Sequence, residues 1–522
     1  MRVKVLQKFK LERLESGFVC FVLFIIFLLT FSLPAFAEDF YRYQGGIKGE
    51  EEYAEMLYIT GEPILLKGTV RESTGRSRDG NIMTNISYNL ENKEKEIRLT
   101  RSLSYVTTKE ERDKQEVNTT ELERFRESIR IGRDRYNLEE FQFSRSEILD
   151  NQPAVTYKSG NWSARKVYSV NRDMATVTVE TWGNNVGYDH AWGSQDTAHE
   201  EGVVYFDGKV ELDRDTSVNT EWSASFSQDL SYNRSRYLEY QENEPTAISF
   251  SGGYVDNTYT TESISYEGNF PDLDNGVLAS SRWRKLDGSH QIRSIPSKKR
   301  LQVANLIDVR GHWAEEDIRK LYGLGAFEKR GNYFHPTAYF FRGQLAKALV
   351  SVLDLKLPEP PQEQQRMTLY ANYFGNNQKQ QEQEEEPLFA DVSVDDPNYK
   401  YYKAVYEAGV MTGTGPGVFG ATKTVTKVQA ITILIRALGL EGLAPAGYIY
   451  TTFEDDWQIP DWARASVYVA EKIGLIKGDE YGCLRPNDIL TRAEAASLLN
   501  NFIRFLREEM TVDYRERILN YN

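Results

Sequence analysis

Three basic residues, Arg342, Lys427 and Arg492, hold the same place in three similar stretches of this 522-residue chain, "YFFRGQLAKALVSVL", "TVTKVQAITILIRAL" and "ILTRAEAASLLNNFI". In the third stretch Thr491 can cap a helix while Glu494, three residues on, bonds back to the cap amide, a reciprocal pair that stabilises by about 1 kcal/mol. Helix formation thus accounts for Thr491 and Glu494 but leaves Arg492 over, because a cap does not need it and an apolar core excludes it. At the first helical position a guanidinium stands beside unpaired backbone amides at the positive end of the helix dipole, a natural site for a carboxylate or phosphate. The competing role is a structural salt bridge, for example from Arg492 to Asp455. Three cations at one repeat position favour binding.

The repeat extends upstream. Asp308, Asp391 and Asp455 precede the three cations by 34, 36 and 37 residues, and Gly325, Gly409 and Gly474 precede them by 17, 18 and 18. Each unit reads as an acidic turn, a helix, a Gly stop, a short extended piece and a second helix opened by the basic residue. Ile318, Leu321 and Tyr322 share one helical face, as do Leu345, Leu349 and Leu353. A Pro-, Gln- and Glu-rich interruption over residues 356–387 cannot bury a core and is expected to be a flexible linker.

With these motifs in place, "LIDVRGHWAEEDIRKLYGLGAF" and "TTFEDDWQIPDWARASVYVAEKIGLIKG" resemble S-layer homology (SLH) modules. "LFADVSVDDPNYKYYKAVYEAGVMTG" resembles a divergent middle copy. The modules would occupy residues 303–355, 388–442 and 451–510, followed by a tail over 511–522. The resemblance implies an all-α trimer of modules in a pseudo-threefold helical spindle, whose grooves bind secondary cell-wall polysaccharide, often through a pyruvylated terminal sugar. Carried over by position, Arg342 and Arg492 match the motif Arg, while Lys427 replaces it with a charge lacking the bidentate fork. Trp313 and Trp462 match the family Trp, which either lies against a sugar face or packs to close the module. Asp308, Asp391 and Asp455 match the acidic turn, whose carboxylate either bonds sugar hydroxyls or caps a helix. Phe341 stands where Thr should cap, and Pro397 lies near the expected Trp of the middle copy. Unequal grooves follow, with Arg492 in the strongest.

Residues 38–300 differ in kind. "NISYNL", "ATVTVETW" and "SISYEG" alternate apolar and polar residues with the period of half-buried strands. In "VVYFDGKVEL", Asp207 and Gly208 read as a tight hairpin turn between two such runs. The region is expected to be an all-β, antiparallel, sandwich-like domain, making the chain multidomain. Ahead of it, a basic head, an apolar run from Gly17 to Leu33 and an Ala-Phe-Ala end read as a signal peptide over residues 1–37, with a retained anchor as the alternative. Cys20 lies inside that signal, so Cys483 is the only cysteine beyond it and the exported domains must be stabilised by core burial.

The formal net charge is -14, and about -17 once the +3 of the signal is removed, which argues against nucleic acid as a partner. The concentrated ionisable cluster of the β region is "YDHAWGSQDTAHEE", with Asp189, His190, His199 and Glu200; its spacing matches no zinc pattern and it reads as a solvated loop. No phosphate loop, nucleophile elbow or metalloprotease motif occurs. Neither a cofactor, nor a metal, nor a catalytic residue is therefore expected. The sequence reads as a non-enzymatic surface protein of a bacterial wall, with self-association in a surface layer open to it and no membrane span after signal cleavage. The alternatives are a wall-tethered glycan hydrolase and a glycan-binding adhesin, either one carried by the β domain.

Overall fold

The computed structural model describes residues 44–49, 52–77, 79–212, 216–242, 252–303, 305–328, 331–358 and 387–510. The expected signal and tail, and most of the expected linker, lie outside the described residues.

Alternation builds the sheet. In β4 (Ile82–Asn92), Thr84, Ile86, Tyr88 and Leu90 are buried while Asn85, Ser87 and Asn89 are exposed. The next strand, β5 (Ile97–Arg112), buries Ile97, Leu99, Arg101, Leu103 and Tyr105 on the same side. The meander opens with β1 (Gly46–Lys48), β2 (Tyr53–Leu57) and β3 (Ile64–Arg76). After β5 it runs on through β6 (Gln115–Ile131), β7 (Asp134–Asn151), β8 (Val155–Val170), β9 (Ala175–His190), β10 (Gly193–Glu211), β11 (Ser217–Gln241), β12 (Gly253–Asp274) and β13 (Val277–Arg293). Each strand pairs antiparallel with the next, and β14 (Ser297–Arg300) also pairs with β12.

The sheet curls until its ends meet. Tyr58, just past β2, stacks on Phe226 of β11 with ring centroids 3.7 Å apart, and the Lys48 amide donates to Glu262 of β12 at 2.7 Å. One core fills the interior, from Ile47 to Phe270. The domain is thus all-β and antiparallel as expected, but it is one up-and-down sheet that nearly closes. Its outward positions are mostly polar, as Asn85, Ser87 and Asn89 of β4 illustrate.

Two local expectations are corrected. Asp207 and Gly208 form no turn: both lie inside β10, paired on one side with Thr176 and Ala175 and on the other with Glu221 and Thr220. Gly208 serves close approach instead, since a Cβ there would come within 2.4 Å of the Ala175 backbone. The Asp189–Glu200 stretch is not a loop either, being the β9–β10 hairpin with its tight turn at Ala191 and Trp192.

The C-terminal part is helical. Its helices come in pairs: α1 (Glu315–Gly323) with α2 (Arg342–Val352), α3 (Tyr399–Glu407) with α4 (Lys427–Leu438), and α5 (Asp461–Lys472) with α6 (Arg492–Arg504). After the first helix of each pair, Gly325, Gly409 and Gly474 adopt φ of 81°, 71° and 71°, the left-handed stop that Gly takes without strain. The three second helices begin at the three repeated cations. The extended pieces before them are tied head to tail: the Phe340 amide donates to Leu490 O, Leu490 to Val425 O, and Val425 to Phe340 O, at 2.8, 2.9 and 3.0 Å.

The sheet domain docks on the C-terminal ends of these second helices. Trp192, 1% exposed, inserts its ring into the helical core and donates from Nε1 to Val352 O, the last carbonyl of α2, at 2.7 Å. The Ala154 amide donates to Ala437 O at 2.8 Å and the Tyr157 hydroxyl to Leu438 O at 3.2 Å, both at the end of α4. These carbonyls are the ones a helix leaves without partners. Arg236 lies over the Trp192 ring, 4.7 Å from its centroid, and pairs with Asp256 at 2.7 Å. His190 is buried beside the junction, where burial and the Arg234 charge push its pKa down to about 3.

Candidate functional site

The repeated carboxylates do the same work three times. Asp308 accepts the amides of Phe334 and His335, Asp391 those of Phe419 and Gly420, and Asp455 those of Leu484 and Arg485, all within 2.7–2.8 Å for the closer oxygen. In every copy the second loop residue that donates its amide has left-handed φ: 57° at His335, 76° at Gly420 and 55° at Arg485. The acidic turn therefore holds a strained extended piece in front of the second helix, and none of these bonds caps a helix. Burial pushes the Asp308 carboxyl up, but the two amides outweigh it and hold its pKa below the ordinary range.

The cations point across to the neighbouring module. Arg492 donates from Nε to Phe334 O at 2.8 Å and lies over the Phe334 ring, 4.4 Å from its centroid, so the third module grips the first. Arg342 donates to Phe419 O at 3.2 Å and Thr412 O at 2.8 Å, so the first grips the second. Arg342 is 8% exposed, and burial lowers its pKa. Lys427 takes the third place in the cycle: its amide donates to Asp488 O at 3.0 Å and its Nζ pairs with Glu494 at 3.1 Å. The first residue whose amide the acidic turn accepts explains the substitution. Phe334 and Phe419 offer a ring to an Arg, whereas the matching residue of the third module is Leu484, which offers none.

The salt bridge considered from Arg492 to Asp455 does not form; Asp455 is engaged by Leu484 and Arg485 of its own module. The caps are as read: the Glu494 amide donates to Thr491 Oγ1 while the Thr491 amide donates to Glu494, and Thr426 with Gln429 repeats the pair. Where Phe341 replaces Thr, one half survives, from the Phe341 amide to Gln344 Oε1 at 3.1 Å. Trp313 is 67% exposed and Trp462 is 52% exposed, each at the start of its module's first helix, so neither is a core residue of its module.

The sheet interior holds a second concentration of charge that the sequence reading passed over. Arg101 donates to Glu55 at 2.9 Å and to Glu127 at 2.7 Å. Lys166 reaches Gln44 at 2.8 Å, and Gln228 donates to Glu200 at 3.1 Å. Burial lowers the Lys166 pKa and raises that of Glu200 to about 7; at Glu127 burial also raises, but Arg101 and Lys166 outweigh it and hold the carboxylate at about 2. The signal was present in "IRLTRSLSY", where the strand period puts Arg101 on the face of Leu99 and Leu103. The suspected cluster of Asp189, His190, His199 and Glu200 is dispersed by the same period. Asp189 pairs with Arg234, His190 faces the junction, His199 points outward to Asp229, and Glu200 points inward. Among the described residues no group of three or more His, Cys, Asp or Glu is disposed to hold a metal, and no helix is long and apolar enough to cross a membrane.

The S-layer homology domain family model matches residues 308–346, 388–431 and 452–496, one match on each helix pair. Three S-layer homology modules stand in tandem here. Over 100 residues the chain is 34% identical to the Surface layer protein of Brevibacillus choshinensis, covering 19% of this chain and 9% of that protein. It is 27% identical over 190 residues to the S-layer protein EA1 of Bacillus anthracis, covering 36% and 19%. An Endoglucanase of a Bacillus species is 29% identical over 135 residues, covering 25% and 13%. The matched segment thus spans a fifth or less of each of these relatives' own length. The relatives include both surface-layer proteins and an endoglucanase, so they leave the role of the β domain unassigned.

Proposed function

We propose that the chain is a cell-surface protein held noncovalently to a secondary wall polysaccharide by its three SLH modules, with the β domain in a structural envelope role. The observation that carries the reading is the exposure of Trp313 and Trp462 at one repeat position, in modules whose second helices each begin at a cation. An exposed indole offers a flat face for a sugar ring, and a cation at a helix start offers charge for a carboxylate such as a pyruvate ketal. The head-to-tail hydrogen bonds through Phe340, Leu490 and Val425 support a pseudo-threefold spindle. In that arrangement the helix ends nearest the β domain are covered, which leaves the opposite end to the wall. The buried Arg342 then acts as a strut between modules, while Arg492, half-buried, is the Arg that faces the groove.

A hydrolytic β domain is the second reading, because Glu127 and Glu200 have pKa values pushed apart in the manner of an acid–base pair. Against it, the cavity that Glu200 lines is about 70 Å³, room for a few waters and no sugar ring. The cluster is better read as a satisfied interior network.

The test is sedimentation of the full chain with purified walls. Binding is expected to fall when the wall polymer loses its pyruvate groups, and Arg492→Ala to weaken it more than Lys427→Ala, by about tenfold or more for loss of a charge-assisted contact. Equal retention on walls stripped of polysaccharide would refute the anchor, and the reverse order of the two variants would refute the ranking of the grooves.

A further inference from the structure

The outward face of the β domain carries three large exposed aromatic side chains: Trp182 on β9, Tyr205 on β10 and Trp283 on β13, 45%, 48% and 55% exposed. Single exposed aromatics are ordinary, but these three line two adjoining troughs. The first, about 420 Å³, lies between Trp182, Asn161, Ser163 and Glu201; the second, about 400 Å³, lies between Tyr205, Ser223, Ser225, Asn269 and Trp283. Successive outward positions of β10 join them, His199 and Glu201 lining the first and Val203 and Tyr205 the second. Together they form one angled track, along β10 from Trp182 to Tyr205 and then across β11 and β12 to Trp283.

The spacing is regular. Trp182 is paired in register with Glu201, four residues along β10 from Tyr205, a separation of about 14 Å at about 3.4 Å per residue. Trp283 lies three strands from Tyr205, again about 14 Å at about 4.8 Å per strand. The floor between them is low because β11 presents Ser223 and Ser225 outward. The Trp182 ring is fixed by donation from Nε1 to Glu201 at 2.9 Å. Charges at the rim are mutually paired, His199 with Asp229 at 2.7 Å and Lys285 with Glu267 at 3.0 Å, so the track offers no field of one sign.

We propose that this track binds an extended, neutral polysaccharide. The three aromatic rings stack on sugar faces at separate positions, and Ser223, Ser225, Asn161 and Asn269 hydrogen-bond hydroxyls between them. A chain of net charge -14 repels a polyanion, and rings separated by hydroxyl and amide side chains lack the contiguous apolar centre of a protein interface. The ligand differs in kind from the anionic one assigned to the SLH modules, and the inference stands independently of that assignment.

Titration calorimetry of the full chain with soluble cello-, xylo-, manno- and chito-oligosaccharides tests it. At least one is expected to bind saturably, and Trp283→Ala and Tyr205→Ala each to weaken that binding about tenfold or more. Ser225→Val, which raises the floor without removing a ring, should also weaken it. All three side chains face water, so the melting temperature serves as the folding control and should hold. Trp313→Ala and Trp462→Ala should leave this binding intact. Absence of saturable binding to every sugar would overturn the proposal. So would binding that survives the aromatic substitutions, or binding that disappears with Trp313 or Trp462.

Discussion

Replacing Trp192 by alanine probes whether the β domain and the SLH modules are one folding unit. The ring is 1% exposed, sits in the helical core, and gives its Nε1 hydrogen to Val352 O. Deleting a buried Trp typically costs about 3–5 kcal/mol, and the carbonyl left at the end of α2 adds about 1 kcal/mol where water cannot reach it. Because the ring belongs by chain to the sheet and by packing to the helices, most of this loss of about 4–6 kcal/mol falls on the junction. Trp192→Phe keeps most of the apolar contact and should cost about 1–2 kcal/mol through the lost hydrogen bond and the smaller ring. Scanning calorimetry is the assay. The wild-type chain is expected to unfold with its sheet and helices coupled, and Trp192→Ala to separate them into two transitions, the lower one shifted down by about 10 °C. A single transition moved by less than about 1 kcal/mol would refute the claim that this hairpin is the dock.

Glu200→Gln is expected to change the pH dependence of stability. The native carboxyl titrates at about 7 against an ordinary 4.5, so below about pH 4.5 both states are protonated and there is no penalty. As pH rises through 7 the wild-type chain loses about 3 kcal/mol that the Gln variant keeps; urea unfolding at pH 4.5 and pH 8 measures it, and parallel pH profiles would contradict the reading. Asp455→Ala leaves the amides of Leu484 and Arg485 unpaired and releases a left-handed Arg485, so a loss of about 2–3 kcal/mol is expected. Hydrogen exchange at those two amides should rise with it, and unchanged protection would show that the acidic turn does not hold the loop.

What the sequence determined by itself is local or repetitive in origin. The strand alternation, the capping pairs Thr491 with Glu494 and Thr426 with Gln429, the Gly stops and the threefold repeat all follow from chain geometry over a few residues or from recurrence at fixed spacing. The same is true of the SLH resemblance, which rests on motifs placed in order along the chain. Burial, by contrast, is decided by partners that lie far along the chain. Arg342 and Arg492 were left over by helix capping and looked free for an anion, yet the neighbouring module's carbonyls and rings occupy them. Trp192 sat in what looked like a solvated loop because the partner that buries it, Val352, is 160 residues on. Asp207 and Gly208 carry a turn signature that a strand paired on both sides overrides. Tertiary structure alone decided these, since a turn, an ion site and a buried plug are defined by what packs against them, and sequence proximity carries no record of that.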